Sequence, residues 1–379
     1  MKLLNVVHNS RVDTGGKISH DLLMKELEER GHQIEFLSTT HHDHFETHLM
    51  EDHMSVNLLE KRQKLVKDEV ETQLEKKDYD YVYGNGYYAI PGMLKAAEDF
   101  DIETITHYRD YWFADVNGTF VGDDGKYYEN CNLANIVKHN SLKRLPWNLY
   151  KWRYLQSIHS LLDSSDCKIA TSKTVKRRLE ECGLRNAKVV ANPVNIEKYQ
   201  KAEEQPDLSS EKFTVAFIGT LSRHKGTEVL KEIIHSLNGE DIEFLIVGDG
   251  PEKQGLKSEL SQNVEFTGWM RREEIPSVYA SIDFILYPSI YPEGFGRIAV
   301  ESMAAGTPII ASSRGGVKDI IDDGKTGFLL DPNEGKKWAK KIGELKENKN
   351  IYEEISKNGK EEAEDYRVSS HVDKFLEVM

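Results

Sequence analysis

Two glutamates, Glu293 and Glu301, stand eight positions apart and could act together on one ligand. On a single helix, a rise of about 1.5 Å per residue would separate them by about 12 Å, too far for shared work on one bond. Pro292, Gly294 and Gly296 interrupt regular structure between them. We therefore expect Glu293 on a loop, able to fold back over the start of a helix that carries Glu301 two turns in.

The segments around this pair predict a βαβ unit. Residues 283–287 form a short apolar run closed by Pro288, which is typical of a buried strand. A helix is expected over 295–305, because the Gly-Thr-Pro at 306–308 ends it, and a second strand over 309–311.

The start of that helix is a candidate anion site. The first four N–H groups of a helix lack partners within it, and the helix dipole favours negative charge there. The sequence predicts exposed amides at Gly294, Phe295 and Gly296, on which a phosphate or pyrophosphate would fit.

The whole stretch PSIYPEGFGRIAVESMAAGTPIIASSRGG, residues 288–316, resembles the signature of the GT-B retaining glycosyltransferases of family 4, the glycosyl transferases group 1. In that family the second glutamate binds the ribose hydroxyls of a nucleotide sugar and the first lies against the donor sugar. The resemblance thus implies that Glu301 holds ribose and Glu293 the sugar. The alternative is two solvated glutamates on an ordinary βαβ unit.

Length and composition predict a two-domain globular protein. At 379 residues the chain exceeds the size of a single core. Its 50 Lys and Arg face 64 Asp and Glu, a net charge of −14, which argues against a general nucleic-acid binder. Three cysteines imply no disulfide framework. With no signal peptide and no apolar run near about 18 residues, we expect a cytoplasmic protein.

The first strand, 3–7, leads through Asp13-Thr14-Gly15-Gly16 into a predicted helix over 17–29. This order resembles the N-terminal domain of the same glycosyltransferases, in which the Gly-Gly turn faces the phosphates and sugar of the donor. That gives Gly15 and Gly16 a donor-binding role by resemblance. A tight turn without contact to substrate is the alternative.

A second candidate group follows the strand predicted over 102–108. Arg109 and Asp110 begin the sequence Arg-Asp-Tyr-Trp, where many family members carry His-Asp-Tyr-Trp and the histidine reaches the donor sugar. His107 lies two residues earlier, on the same face of the strand as Arg109. The resemblance assigns the catalytic role to Arg109 or His107 beside Asp110. An Arg109–Asp110 pair that only fastens a loop is the alternative.

Cations for a pyrophosphate are expected between the strand at 213–218 and the next helix. Gly219 opens this turn, and Lys225 matches the lysine that the family places there. Thr220 replaces the family's arginine, and Arg223 can compensate. A plain surface lysine is the alternative for Lys225. By the same resemblance Arg271, within 269–272, would line the nucleotide base.

Two patterns suggest a metal site, and we predict none. Residues 41–53 hold five histidines among carboxylates, with His44 and His48 one helical turn apart, but the zinc-peptidase pattern is absent. Asp78-Tyr79-Asp80 is an Asp-x-Asp triplet that precedes a strand, and it implies no Mg²⁺ or Mn²⁺.

Residues 138–154 mix basic residues with Trp147, Tyr150, Trp152 and Tyr154. Such a segment can lie on an anionic membrane surface, which would give a cytoplasmic protein peripheral contact with the inner face of the membrane. A helix that packs one aromatic face on a sheet has the same composition. The excursion over 113–135 is a candidate acceptor-site loop.

The resemblance covers nearly the whole chain and implies the GT-B fold, two Rossmann-like α/β domains whose parallel sheets face each other across a cleft. The acceptor-binding domain would span 1–196, the nucleotide-sugar-binding domain 197–362, and a terminal helix at 363–379 would cross back. It further implies transfer of a hexose-type sugar, with retention and without metal or cofactor, from a donor such as a UDP-sugar or GDP-sugar to a hydroxyl of a glycan, lipid-linked or small-molecule acceptor.

Two alternatives stay open. One is a nucleotide-sugar epimerase or hydrolase on the same fold. The other is a subunit that binds a sugar nucleotide without turning it over. Thr220 and Arg109 differ from the residues that the family's motifs carry at these positions, which is consistent with this alternative.

Overall fold

The structure is a computed structural model, and it describes residues 1–7, 15–42, 44–50, 58–205, 207–208, 212–260 and 263–379. The chain divides into two compact units. Unit 1 is formed by Met1–Pro193 and Val368–Met379, and unit 2 by Val194–Arg367.

The described strands are β1 (Lys2–Val7), β2 (Gln33–Ser38), β3 (Glu46–Leu49), β4 (Tyr81–Asn85), β5 (Glu103–Tyr108), β6 (Cys167–Ala170), β7 (Lys188–Val189), β8 (Phe213–Ile218), β9 (Ile242–Val247), β10 (Val264–Gly268), β11 (Phe284–Tyr287), β12 (Ile309–Ser312) and β13 (Phe328–Leu330). The described α-helices are α1 (Gly15–Glu29), α2 (Leu59–Lys76), α3 (Ala89–Ala97), α4 (Leu133–His139), α5 (Leu145–Asp163), α6 (Lys173–Glu181), α7 (Glu197–Gln200), α8 (Thr227–Ser236), α9 (Lys253–Glu259), α10 (Ile275–Ala280), α11 (Arg297–Ala305), α12 (Gly335–Glu347), α13 (Lys349–Ala363) and α14 (Val368–Val378).

In unit 1 a parallel sheet has the strand order β3-β2-β1-β4-β5-β6-β7. Leu23 and Leu27 of α1 and Phe375 of α14 join Leu3 and Phe36 of the sheet in one buried cluster. The chain leaves β1 in one direction towards β2 and β3 and returns on the other side at β4. The carboxyl ends of β1 and β4 therefore flank a switch point, where open α/β sheets bind ligands.

Unit 2 repeats this plan with a parallel sheet of order β10-β9-β8-β11-β12-β13. Phe217 and Phe284 of the sheet pack with Ile233 of α8 and with Trp338 and Ile342 of α12 in its core. Its switch point lies between β8 and β11, which pair in parallel with Phe284 opposite Val215. The loops that follow these two strands carry Lys225 and Glu293.

Several elements differ from the sequence-based expectation. Helix α11 begins at Arg297 rather than at residue 295, because Gly296 has φ 100°, outside the helical region. Gly15 and Gly16 belong to the first turn of α1 instead of preceding it, and residues 8–14 lie outside the described residues. His48 lies in strand β3, so the helical spacing proposed for His44 and His48 is wrong.

None of the helices in the described ranges combines the length with the apolar character needed to cross a bilayer.

Candidate functional site

The loops after β8 and β11 are joined at the switch point of unit 2. The carbonyl oxygen of His224 accepts hydrogen bonds from the amides of Ile290 and Tyr291, both at 3.1 Å, and Ser289 Oγ lies 3.2 Å from it. Gly226 has φ 83°, and a Cβ there would lie 1.9 Å from the carbonyl oxygen of Pro288. Only glycine permits this approach, which brings Lys225 to the second loop.

The Lys225 ammonium contacts the Glu293 carboxylate, with Nζ 2.6 Å from Oε1. Ser289 Oγ donates to the same oxygen at 3.0 Å. The Tyr291 ring lies 5.5 Å from Nζ. Burial, with the nearby Glu293 carboxylate, raises the pKa of Tyr287 well above its usual range. A cation, a carboxylate and hydroxyl groups are thereby brought together at the carboxyl ends of two neighbouring strands.

The backbone of Glu293 is held by the turn after β12. The amide of Gly316 donates to the Glu293 carbonyl oxygen at 2.7 Å. Gly315 has φ 74°, and a Cβ there would lie 2.4 Å from that oxygen. The Gly-Gly turn that the sequence places after β12 thus fixes the loop that carries the first glutamate.

Glu301 lies inside α11 and is only 7% exposed. Its Oε1 accepts from Arg297 Nε at 2.6 Å, one helical turn earlier, and its Oε2 accepts from the Tyr279 hydroxyl at 3.2 Å. Burial, followed by the Glu301 charge, raises the pKa of Tyr279 well above its usual range and also raises that of Tyr199. Both phenols stay protonated, and Tyr199 is a third hydrogen-bond donor to Glu301 beside Arg297 and Tyr279. Of the roughly four acceptor positions of a carboxylate, about one is left for a further donor.

The three residues before α11 were expected to offer exposed amides. Gly294, Phe295 and Gly296 are instead buried as residues, and the Phe295 ring lies 5.9 Å from that of Tyr366. The Ala299 amide donates to the Gly296 carbonyl oxygen at 2.9 Å, which closes the first turn.

The other predicted donor-binding residues of unit 2 lie in its loops. Arg223 is exposed and its Nε lies 3.4 Å from Glu252 Oε1. Arg271 is also exposed and pairs with Glu274, Nη2 to Oε1, at 3.3 Å. Gly219 has φ 153°, and its amide donates to the Val247 carbonyl oxygen at 2.9 Å. In this structure Arg271 therefore pairs within its own loop, whereas Arg223 pairs with Glu252 in the loop after β9.

In unit 1, Arg109 occupies the centre of a polar cluster. Its Nη2 donates to His107 Nδ1 at 3.1 Å, and its Nη1 donates to Asn192. A Cβ at Gly16 would lie 3.9 Å from Arg109 Cδ, so the start of α1 lies against this side chain. Asp110 is exposed, and its Oδ1 accepts from the Trp112 amide at 3.2 Å.

His107 is fully buried beneath Arg109. Its Nδ1 also accepts from the Tyr83 hydroxyl at 2.8 Å, and its Nε2 has no partner among the described residues. Burial, assisted by the Arg109 charge, holds the pKa of His107 well below its usual range. The imidazole is thus neutral and supports Arg109, whereas Arg109 and Asp110 are the members of the predicted group that reach the surface.

Sequence reasoning missed several partners of these residues. Tyr83 and Asn192 contact the Arg109 cluster in unit 1, and Ser289 and Tyr279 hold the two glutamates in unit 2. Ser289 had a signal, since it lies four positions before Glu293 in the same loop. Asn192 lies in the loop after β7, where residues 192–195 resemble a turn of the family. Tyr83 and Tyr279 come from a distant strand and helix, and no local pattern marks them.

One group of possible metal ligands occurs among the described residues, formed by Glu35, Glu46 and His48. His48 Nε2 donates to Glu35 Oε2 at 2.8 Å, and Lys77 Nζ bonds to both glutamates at 2.9 and 2.8 Å. The Lys77 ammonium already supplies the positive charge that a metal ion would bring. These contacts, with burial opposing, lower the pKa of Glu35 to about 2.

Comparison with solved structures identifies the fold class. The chain is similar to Anabaena HepE in complex with UDP-glucose, with a TM-score of 0.74 and 20% identity over 100% of this chain and 98% of that one. It is also similar to sucrose-phosphate synthase of Thermosynechococcus elongatus, with a TM-score of 0.78 and 18% identity over 99% and 97% of the two chains. The fold is GT-B, as the sequence predicted.

Sequence comparison gives the family. The family model "Glycosyl transferases group 1" matches residues 198–362, and the model "Glycosyltransferase Family 4" matches residues 15–198. Together the two models span most of the chain, and the protein belongs to the group 1 glycosyltransferases, which confirms the resemblance seen in the sequence.

Curated relatives match over part of their length. An uncharacterized glycosyltransferase of Methanocaldococcus jannaschii is 32% identical over 232 residues, 60% of this chain and 62% of that protein. An uncharacterized protein of the cps region of Klebsiella pneumoniae is 29% identical over 213 residues, 54% of this chain and 57% of that protein. The chain therefore spans roughly three fifths of the length of these relatives.

Proposed function

We propose that this protein transfers a sugar from a nucleoside-diphosphate sugar to an acceptor hydroxyl, with retention of configuration and without a metal ion. The observation that carries the proposal is the Lys225–Glu293 pair at the switch point of unit 2, with Glu301 one turn into α11, the helix that follows. Family membership and the UDP-glucose held by Anabaena HepE support the same substrate class.

Unit 2 would bind the donor. Lys225, with Arg223, would neutralise the diphosphate once Lys225 exchanges the Glu293 carboxylate for phosphate oxygens. The dipole of α11 would favour the same negative charge, although the residues Gly294–Gly296 at its start are buried in this structure. Glu301 would accept hydrogen bonds from ribose hydroxyls through its remaining lone pairs, and Glu293 would lie against the sugar. Gly219 and Arg271 would border the diphosphate and the base.

The chemical step would place developing negative charge on the leaving diphosphate, where preorganised cations and amides contribute most. The acceptor oxygen would bond to the anomeric carbon as the bond from that carbon to the phosphate oxygen breaks. The acceptor proton would pass to the departing phosphate on the same face. Glu293 as a covalent nucleophile is disfavoured, because Arg297 and Tyr279 hold the second carboxylate, Glu301, within α11.

Unit 1 would supply the acceptor side, with Arg109 and Asp110 as its accessible polar residues and Gly15 and Gly16 beside them. His107 is proposed as a buried support for Arg109 rather than as a group that touches substrate, because it is fully buried and neutral.

Product analysis tests this proposal. The purified protein is incubated with a sugar nucleotide and a panel of glycan and lipid-linked acceptors, and products are followed by nuclear magnetic resonance of the anomeric centre. We expect nucleoside diphosphate together with a glycoside of unchanged anomeric configuration. Free sugar would indicate a hydrolase, an isomerised nucleotide sugar an epimerase, and a bound but unconsumed donor a binding subunit.

Metal independence has its own test. We expect the same rate of nucleoside diphosphate release with an excess of a divalent-metal chelator as without it, because Lys225 and Arg223 would replace a metal ion as the cations of the site. Loss of activity on chelation, restored by Mg²⁺ or Mn²⁺, would contradict this assignment.

A further inference from the structure

One stretch of unit 1 departs from the charge of the rest of the chain. The full sequence has 64 Asp and Glu against 50 Lys and Arg, yet residues 130–162 contain no Asp or Glu and five Lys and Arg residues. This stretch forms α4, α5 and the segment between them. A positive region on so acidic a protein points to an anionic partner.

The same stretch displays apolar side chains to solvent. Leu133 is 49% exposed, Val137 54%, Leu142 84% and Trp147 41%. They account for four of the nine large hydrophobic residues found exposed in the described parts of the chain. We call these four residues, with Lys138, Lys143 and Arg144, the 133–147 surface.

The apolar residues are presented by ordered structure. Leu133 and Val137 are one turn apart on α4, whereas Ile136 of the same helix is fully buried. The Asn132 side chain caps α4 by accepting from the Asn135 amide at 2.9 Å. Asn148, next to Trp147 in α5, is fully buried. The helices therefore pack through their other faces and leave this surface uncovered within the described chain.

Two of the three basic residues of the 133–147 surface are free to contact an anionic partner. Lys138 and Lys143 are exposed, and neither forms an ion pair with any residue that the structure describes. Arg144 pairs with Asp123, with Nη1 2.5 Å from Oδ1. Of the other acidic residues near this stretch, Asp124 binds His139 at 2.9 Å and Glu129 binds Arg178 at 2.8 Å, whereas the exposed Glu60 accepts a hydrogen bond from the Tyr150 hydroxyl. The net charge of the surface is positive.

We propose that the 133–147 surface docks this protein on the surface of an anionic lipid bilayer. Trp147 and Leu142 enter the headgroup region, since Trp prefers the boundary between polar and apolar surroundings. Lys138, Lys143 and Arg144 then contact lipid phosphates. A nucleic acid does not explain the exposed leucines and valine. A second copy of the chain would bring like charges together across the interface.

Vesicle flotation tests the proposal on the full chain without donor or acceptor, so its outcome does not depend on the proposed function. Vesicles of phosphatidylcholine alone are compared with vesicles that also contain phosphatidylglycerol. We expect binding to the anionic vesicles only, and binding that weakens at high ionic strength. Equal binding to both, or none to the anionic vesicles, would overturn the proposal.

Two double variants separate the apolar contribution to bilayer binding from the electrostatic one. L142S/W147S removes apolar contacts, and K138E/K143E reverses charge; each is expected to lower partition onto anionic vesicles by about tenfold or more. The controls are I351S, at an exposed apolar residue of α13, and K340E/K349E, at exposed lysines of unit 2. The proposal fails if both test variants partition like their controls.

Sedimentation of the same proteins tests whether a second copy of the chain, rather than a bilayer, binds the 133–147 surface. We expect a sedimentation coefficient that L142S/W147S does not change. A wild-type dimer that this variant converts to a monomer, without vesicle binding, would make the surface an interface between copies and contradict the proposal. Because the altered side chains are exposed, unchanged circular dichroism spectra are expected for all variants.

Discussion

The Lys225 ammonium marks the position at which a diphosphate would need a cation, 2.6 Å from Glu293 Oε1. We expect Lys225→Ala to weaken binding of the preferred nucleoside diphosphate by about tenfold or more, because a hydrogen bond to a charged group contributes about 1.5–3 kcal/mol. Isothermal titration measures this. Lys325→Ala, at an exposed lysine of the same unit, should bind normally, and equal losses in both variants would contradict the role of Lys225.

Glu301 has a structural and a proposed ligand-binding role that can be separated. Glu301→Gln removes the partner of a mostly buried Arg297, so we expect the free energy of unfolding to fall by about 3 kcal/mol. A ribose-binding role predicts a further effect on nucleotide affinity. The wild type should bind UDP or GDP more tightly than the corresponding 2′,3′-dideoxy nucleotide, whereas Glu301→Gln should bind the nucleotide and its dideoxy analogue with nearly equal affinity. A preference unchanged by the substitution would leave Glu301 with the structural role alone.

At the scale of elements, the site depends on two loops held together by glycine. In Gly226→Ala the new Cβ would meet the Pro288 carbonyl oxygen at 1.9 Å, so the loops after β8 and β11 must separate. We expect a loss of stability of about 3 kcal/mol or more and loss of nucleotide binding.

Gly239→Ala is the matched control for that substitution. Gly239 has φ 91°, similar to that of Gly226, but nothing lies within 4 Å of an added Cβ. It should cost about 1 kcal/mol and leave nucleotide binding intact. Denaturation in urea and titration with nucleotide give both quantities, and identical behaviour of the two variants would show that the contact with Pro288 is unimportant.

The sequence predicted these elements where local patterns decide them. The apolar run before Pro288 predicted β11, and Gly306 predicted the end of α11. Local patterns failed where tertiary contacts decide. Residues 46–49 pair with β2 as a strand, although their histidine spacing suggested a helix. The burial of His107 also follows from packing that no spacing reveals, since Phe375 of α14 joins Tyr83 in the same core.

At the scale of the whole molecule, buried histidines make stability depend on pH. Burial lowers the pKa of His371 to about 3, and burial with the Arg109 charge lowers that of His107. Burial, partly offset by a hydrogen bond to Asp21, lowers the pKa of His20. Below a pH of about 6.5 the unfolded chain binds protons at these sites that the folded chain does not. The contribution of these histidines to stability is therefore fully present above this pH and is lost as the pH decreases.

Each such histidine has a lower pKa in the folded chain than in the unfolded chain. Between these two pKa values, the free energy of unfolding should fall by about 1.4 kcal/mol for every unit by which the pH is lowered. We expect His371→Asn to reduce the loss of stability between about pH 6 and about pH 5 by roughly 1 kcal/mol. Urea denaturation at the two pH values measures this difference. His235→Asn, at an exposed position of α8, should keep the wild-type dependence, and a steeper loss in His371→Asn would contradict the sign.

Thermal unfolding of the full chain with UDP-, GDP- and ADP-sugars tests most directly whether unit 2 binds a sugar nucleotide through Lys225 and Glu301. A ligand at 100 times its Kd stabilises a protein by about 2.7 kcal/mol. We predict a rise in Tm with one class of donor, a rise reduced to about half or less in Lys225→Ala and Glu301→Gln, and an unchanged rise in Lys325→Ala. A wild type that responds to no sugar nucleotide, or variants that respond like the wild type, would contradict the account.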